Sequence, residues 1–196
     1  MMKNMKIILA SGSPRRRELL KSPGLEFEVY KPDVDESMID GELPSELCAR
    51  LSLLKAHAGA EKFPDALVIA ADTIVVIDDL ILGKPKDRED AFNMLKHLQG
   101  KWHEVITGIT VCMKQKILSH DEHTRVKFRE LSDSEIRAYV STGECDDKAG
   151  AYAVQGYGSL LVERIEGDYF NVVGLPLCRL GMMLSVFGIR LLEHFR

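Results

Sequence analysis

Ile7-Ile8-Leu9-Ala10-Ser11-Gly12-Ser13-Pro14-Arg15-Arg16-Arg17-Glu18-Leu19-Leu20 passes from strand to helix within a few residues. The apolar run, with Lys6 ahead of it, reads as a short buried strand. Ser13 is a helix-capping type, and Pro14 suits the first helical position, where no N–H donor is needed. The helix then runs through Leu19 and Leu20. A strand that feeds a helix through a Gly-containing loop is the opening of an α/β sheet.

The alternation continues outward from this stretch. Phe27 to Tyr30 reads as a second strand, followed by a polar stretch from Pro32 to Pro44. Ser45 to about Glu61 is a helix, with Leu47, Leu51, Leu54 and Ala58 at i, i+4, i+7 and i+11 on one face. Ala66 to Ala71 is a continuous apolar strand that ends at Asp72, and Thr73 to Ile77 continues extended. Asp78-Asp79 turns into Leu80 to Leu82 as a hairpin. Asp87 caps a helix to Gln99, with Ala91, Met94, Leu95 and Leu98 as its stripe and Gly100 at its end. Trp102 to Met113, Lys116 to Ser119 and Thr124 to Leu131 are β-rich and read as antiparallel. Ser132 to Glu135 is a capping box opening a helix that Gly143 closes. A loop from Asp146 to Gly158, a strand from Leu160 to Ile165 and a helix from Leu177 to Phe187 complete the pattern. The fold class is α/β, a mixed sheet with flanking helices split into two lobes around a cleft.

Composition narrows the function. The chain has 196 residues, 45% hydrophobic and 29% charged, an ordinary globular balance. Its 26 basic and 30 acidic residues leave a net charge of −4, which argues against a general nucleic-acid binder. Cys48, Cys112, Cys145 and Cys178 form no C-x-x-C pair, so a zinc site is not expected and free buried thiols in a reducing cytoplasm are. No stretch has the length of a membrane span, and the apolar run near the start is too short for a signal segment.

Five segments carry candidate chemistry. Arg15-Arg16-Arg17 falls in the first turn of a helix, where the dipole disfavours cations. A phosphate docked on the turn's free N–H groups and the Arg forks would reverse that penalty, and Gly12 would let it come close. Solvated Arg on a capped helix is the other open reading. Asp72-Thr73 places a carboxylate at the end of a buried strand, where it could hold a metal or take a proton, or simply form a turn. Asp33, Asp35 and Glu36 form either a hard-cation site or a solvated loop. Lys84, fixed by Pro85, and Lys55, beside the apolar face of its helix, could each meet phosphate. In Lys148 to Gly158, small residues allow a flat ligand to approach, and the Gln155 amide could read a base edge. There is no Walker A loop, no G-x-S-x-G elbow and no metal spacing among the six His.

Taken in order, the segments resemble the Maf family, the septum-formation-inhibitor-like nucleotide pyrophosphatases. The matching residues are Leu9 to Arg16 with Glu18-Leu19-Leu20, Asp35-Glu36, Lys55-Ala56, Ala71 to Val75, Gly83-Lys84-Pro85, Thr107-Gly108, Lys148 to Tyr152, Gln155-Gly156 and Asn171 to Pro176. They cover nearly the whole chain. The resemblance implies hydrolysis of a nucleoside triphosphate to the monophosphate and pyrophosphate with a divalent cation, Mg2+ or Mn2+. It implies a single domain with a twisted mixed sheet and deep cleft, related to inosine triphosphate pyrophosphatases, with residues 1–5 as a flexible extension. It places the catalytic carboxylate at Asp72; on physical grounds Glu36 and Asp72 are expected to bind or lie beside the metal. The expected substrate-binding residues are Ser11, Ser13, Arg15, Arg16, Lys55, Thr73, Lys84 and Gln155, with Arg15, Arg16, the helix N-terminus and Lys84 on the triphosphate and substrate choice resting on Arg15, Thr73 and Gln155. The subgroup these residues resemble acts on dTTP and UTP. A sibling subgroup acting on 7-methyl-GTP carries other residues at the selective positions. A nucleotide-binding regulator of cell division is the alternative of another class. The expected setting is cytoplasmic, with no nucleic acid or membrane partner and a homodimer through Met182-Met183-Leu184.

Overall fold

The structure, a computed structural model, describes residues 5–193. The expected flexible extension therefore lies outside the described residues except for Met5. A seven-stranded mixed sheet carries the helices, as the alternation requires. Its strands are β1 (Ile7–Ala10), β2 (Glu28–Tyr30), β3 (Leu67–Ile77), β4 (Leu80–Leu82), β5 (Trp102–Met113), β6 (Lys116–Phe128) and β7 (Val162–Glu166). The order is β2-β1-β3-β5-β6-β7, with β4 paired to β3 off this path. β1 lies parallel to both β2 and β3, while β3–β4 and β6–β7 are antiparallel. The helices are α1 (Pro14–Lys21), α2 (Pro44–Lys62), α3 (Arg88–Leu98), α4 (Asp133–Ser141), α5 (Tyr169–Val173) and α6 (Leu177–Val186).

The chain divides into two compact units. Among the described residues the first contains 5–72, 107–122 and 174–193; the second contains 73–106 and 123–173. β1 is buried at all four positions, and Ile8, Ala10, Val68, Ala70, Ala56 and Cys112 form a core of the first unit. Gly108 fits here because a Cβ on it would lie 2.3 Å from the Cys48 carbonyl oxygen of α2. In the second unit Leu95, Leu98, Phe128, Ile136 and Tyr152 belong to one core. Local signals set the ends. Asp87 caps α3 by accepting from the Asp90 N–H, and Ser132 and Glu135 form the expected capping box of α4. Asp78 and Asp79 both have positive φ, 49° and 63°, as a tight β3–β4 hairpin needs.

Several expectations need correction. The buried face of α2 carries Cys48, Ser52, Lys55, Ala56 and Gly59 beside Leu47 and Leu51, while Leu54 is exposed. Polar partners override the apolar stripe: Ser52 Oγ lies 2.9 Å from Thr110 Oγ1, and Lys55 meets carboxylates. Asp72 does not end a strand; it lies inside β3, which is continuous from Leu67 to Ile77. The break expected around His120–His123 is also absent, since β6 runs from Lys116 to Phe128. Polar partners meet there, with His123 Nδ1 3.1 Å from Glu104 Oε1 and an Arg179–Glu122 ion pair at 3.3 Å. Cys178 is exposed, unlike the other three thiols. On α6, Met183 and Leu184 are buried and only Met182 of that trio is exposed, together with Val186. The short helix α5 had no signal long enough to mark it.

His103 is buried in the second unit, its Nε2 2.8 Å from the Tyr152 hydroxyl, in edge-on contact with Phe128 and Tyr152. Burial pushes this imidazole down from 6.5 to about 3, so it stays neutral in the folded chain. At pH 5 the unfolded chain binds a proton here and the folded chain does not. The stability tied to His103 is therefore complete above about pH 6.5 and falls as pH drops toward about 3, by about 2 kcal/mol at pH 5. His103→Gln keeps a partner for Tyr152 and removes the titration. Its Tm is expected to fall less than that of the parent between pH 7 and 5; parallel losses would refute the assignment.

Candidate active site

In the first unit, β1 delivers Ser11 and the loop at the start of α1. Ser13 has extended backbone, and its Oγ accepts from the Arg16 N–H at 3.5 Å. Ser11 Oγ accepts from the Ser13 N–H at 3.2 Å and from Arg16 Nη1 at 3.3 Å. Arg16 Nε donates to the Gly174 carbonyl at 2.8 Å, which fixes the guanidinium from a second segment. The first turn of α1 contains no acidic residue, so Arg15 and Arg16 stand beside the positive end of the helix without a carboxylate on that turn. Gly12 leaves room for the Lys31 stem, since a Cβ there would lie 3.2 Å from Lys31 Cδ. The glycine thus brings a further cationic residue to the loop, one that the sequence had not singled out.

The carboxylates converge on Lys55. Its Nζ lies 2.6 Å from Asp72 Oδ1 and 2.9 Å from Glu36 Oε1. Lys55 and Asp72 are only 7% and 8% exposed, so each needs the other's charge. Glu36 is more open and supplies the solvent-facing side. Burial pushes the Arg16 guanidinium down; Asp72 and Glu36 oppose this, and Arg15 adds to it. Arg16 therefore lies in the field of the same carboxylates. Ser11, Ser13, Arg16, Glu36, Lys55 and Asp72 are thus gathered in one unit, with Arg15 on the same turn.

Thr73, Lys84 and Gln155 belong to the second unit. Thr73 is half-buried on β3; Lys84 and Gln155 are exposed on loops. The Gly150 N–H donates to the Gly83 carbonyl at 3.0 Å, which joins the segments that bear Lys84 and Gln155. Gly150 has φ 67°, and a Cβ on it would meet Val75 at 3.0 Å, so this junction requires glycine. Asn171 explains another quoted segment: its amide donates to the Val105 carbonyl at 3.0 Å and to Thr124 Oγ1 at 2.9 Å. Sequence reasoning missed Tyr139 and Glu144, whose spacing carries no recognisable motif; both bond the backbone around Gln155. Among the described residues no group of three or more His, Cys, Asp or Glu could hold a metal, and no helix is long and apolar enough to cross a membrane.

An Arg-bearing loop at a helix start and a buried ammonium–carboxylate cluster thus lie together in the first unit of an α/β protein. The model of the family described as Maf-like protein matches residues 6–187. The chain is 55% identical over 192 residues to the dTTP/UTP pyrophosphatase of Thermoanaerobacter sp. (strain X514), covering 96% of this chain and 100% of that protein. It is 48% identical over 186 residues to the dTTP/UTP pyrophosphatase of Clostridioides difficile (strain 630), covering 93% and 95%. Among solved structures, the Staphylococcus aureus Ham1 protein is similar with a TM-score of 0.44 and 17% identity over 63% of this chain and 71% of that one, too loose to carry weight. The chain belongs to the Maf family.

Proposed function

We propose that the protein is a nucleoside triphosphate pyrophosphatase that hydrolyses dTTP and UTP to the monophosphate and pyrophosphate. The observation that carries this is the Asp72–Lys55–Glu36 cluster in the field of Arg16. The names of relatives that match nearly end to end support the substrate class. Arg15, Arg16, the α1 N-terminus and Lys84 would hold the triphosphate and offset its charge. Asp72 would take the proton of a water whose oxygen attacks the α-phosphorus. The α–β anhydride bond breaks, and pyrophosphate leaves. Thr73 and Gln155 would read the pyrimidine.

Glu36 and Asp72 are hard oxygen donors that already reach a common cation, the Lys55 ammonium. That donor set fits Mg2+ or Mn2+, ions that complete their shells with waters and phosphate oxygens. Bound there, the ion would offset triphosphate charge and polarise a phosphoryl oxygen. A cytoplasmic homodimer that uses the exposed Met182 and Val186 belongs to the same proposal.

The test is a panel of dTTP, UTP and 7-methyl-GTP with Mg2+ or Mn2+, with pyrophosphate and phosphate measured separately. Pyrophosphate from dTTP and UTP is the expected result. Preference for 7-methyl-GTP would overturn the substrate, and no turnover of any triphosphate would leave a nucleotide-binding regulator.

A further inference from the structure

Gln155 sits at the tip of a turn pinched shut behind it. A Cβ on Gly158 would lie 1.9 Å from the Ala153 carbonyl oxygen, so these two backbones pass each other too closely for any side chain. Two residues outside the turn hold it. Glu144 Oε2 accepts from the Tyr157 N–H at 3.0 Å, and its Oε1 accepts from the Gly158 N–H at 2.9 Å. The Tyr139 hydroxyl accepts from the Ala153 N–H at 3.1 Å and donates to Glu144 Oε1 at 3.1 Å. Backbone on both sides of Gln155 is thus bonded to one phenol–carboxylate pair. Gly156 has φ 65°, and a Cβ there would fall 2.3 Å from Glu144 Oε2, so the carboxylate occupies the space a side chain would need.

We propose that Tyr139 and Glu144 are positioning residues that set the Gln155 amide for reading the base. The proposal rests on the reading of Gln155 as a base contact. Tyr139 is buried on the inner face of α4 with Ile136 and Val140, while Gln155 is exposed. Burial pushes the Tyr139 phenol up, which keeps its proton in place for Glu144. Ionised, the carboxylate has lone pairs for all three donors at once. The pair therefore acts on the base-reading segment and leaves the triphosphate groups of the first unit alone.

The test compares Glu144→Gln, Tyr139→Phe and Gln155→Ala, singly and in pairs with Gln155→Ala, against dTTP and UTP. Inorganic tripolyphosphate serves as a competitive inhibitor that has no base. Glu144→Gln and Tyr139→Phe are each expected to raise KM about tenfold, the scale of one lost hydrogen bond to a charged or buried group, with kcat within about twofold. Tripolyphosphate inhibition stays unchanged, and neither substitution adds to the KM of Gln155→Ala. Thermal unfolding confirms that each variant is folded; Tyr139→Phe keeps the ring in its core site if Glu144→Gln does not fold. Unchanged KM in the folded variants overturns the proposal, as does an effect that adds fully to Gln155→Ala or weakens tripolyphosphate in parallel. If Gln155→Ala alone leaves KM unchanged, the base-reading role has failed and the clamp with it. If Gln155→Ala raises KM and the clamp variants do not, only the clamp has failed.

Discussion

Asp72→Asn is expected to lower pyrophosphate release from dTTP by roughly 100- to 10,000-fold, the range for a positioned general base. The substitution keeps the shape of the side chain and an oxygen for Lys55 Nζ, which lies 2.6 Å away in the parent. It removes the lone-pair basicity needed to accept a proton from water, and one charged donor for a divalent cation. The fold should survive. Lys55 retains Glu36 at 2.9 Å as its counter-ion, so the buried ammonium is not left alone. A cost of about 1 kcal/mol, or roughly 2–4 °C in Tm, is the expected stability change. The measurement pairs turnover with thermal unfolding and with calorimetric binding of dTTP. Turnover within about threefold of the parent would remove Asp72 from the chemistry.

Lys55→Met is expected to cost stability as well as activity. It fills nearly the same space with an uncharged stem and leaves Asp72, 8% exposed, as a carboxylate without its closest cation. Breaking a buried pair from one side costs about 3–5 kcal/mol, because the remaining charge stays desolvated. The lower end, about 3 kcal/mol, applies here, since Arg16 also lies in the field of Asp72. The double variant Lys55→Met/Asp72→Asn should regain most of that loss, because no buried charge is then uncompensated. Urea unfolding of the parent, the two single variants and the double variant measures the coupling. If Lys55→Met is no less stable than the parent, or the double variant sums the single losses, the pairing does not stabilise the site.

Much of this was legible in the residues. Capping chemistry located the ends of α1, α3 and α4, because Ser13, Asp87 and Ser132 act on neighbours within a few positions. Asp78-Asp79 announced its hairpin in the same local way. What stayed hidden depends on partners far along the chain. The buried face of α2 turned on Ser52 meeting Thr110 and Lys55 meeting Asp72, contacts no helical periodicity contains. In β6, His123 meets Glu104 of the neighbouring strand β5, a partner that local sequence around His120–His123 does not reveal. In the site, the Arg of the α1 loop stood out in the sequence because they run against the helix dipole. Glu144 was not, because an acidic residue after a helix looks like any solvated turn until the backbone it binds is known.

The bond from Arg16 to the Gly174 carbonyl bears on how the protein matures. The two residues are separated by 158 positions, so synthesis of most of the chain intervenes between them. At about 5–20 residues per second, the Arg16 side chain is made roughly 8 to 30 seconds before its acceptor exists. β1 and its partners β2 and β3 are all made in that interval, while Arg16 has Ser11 but not yet the Gly174 carbonyl. A nascent chain stalled before Gly174 would therefore carry Arg16 without this acceptor. The α1 loop thus gains its last backbone tether late in translation, when the segment ahead of α6 is made.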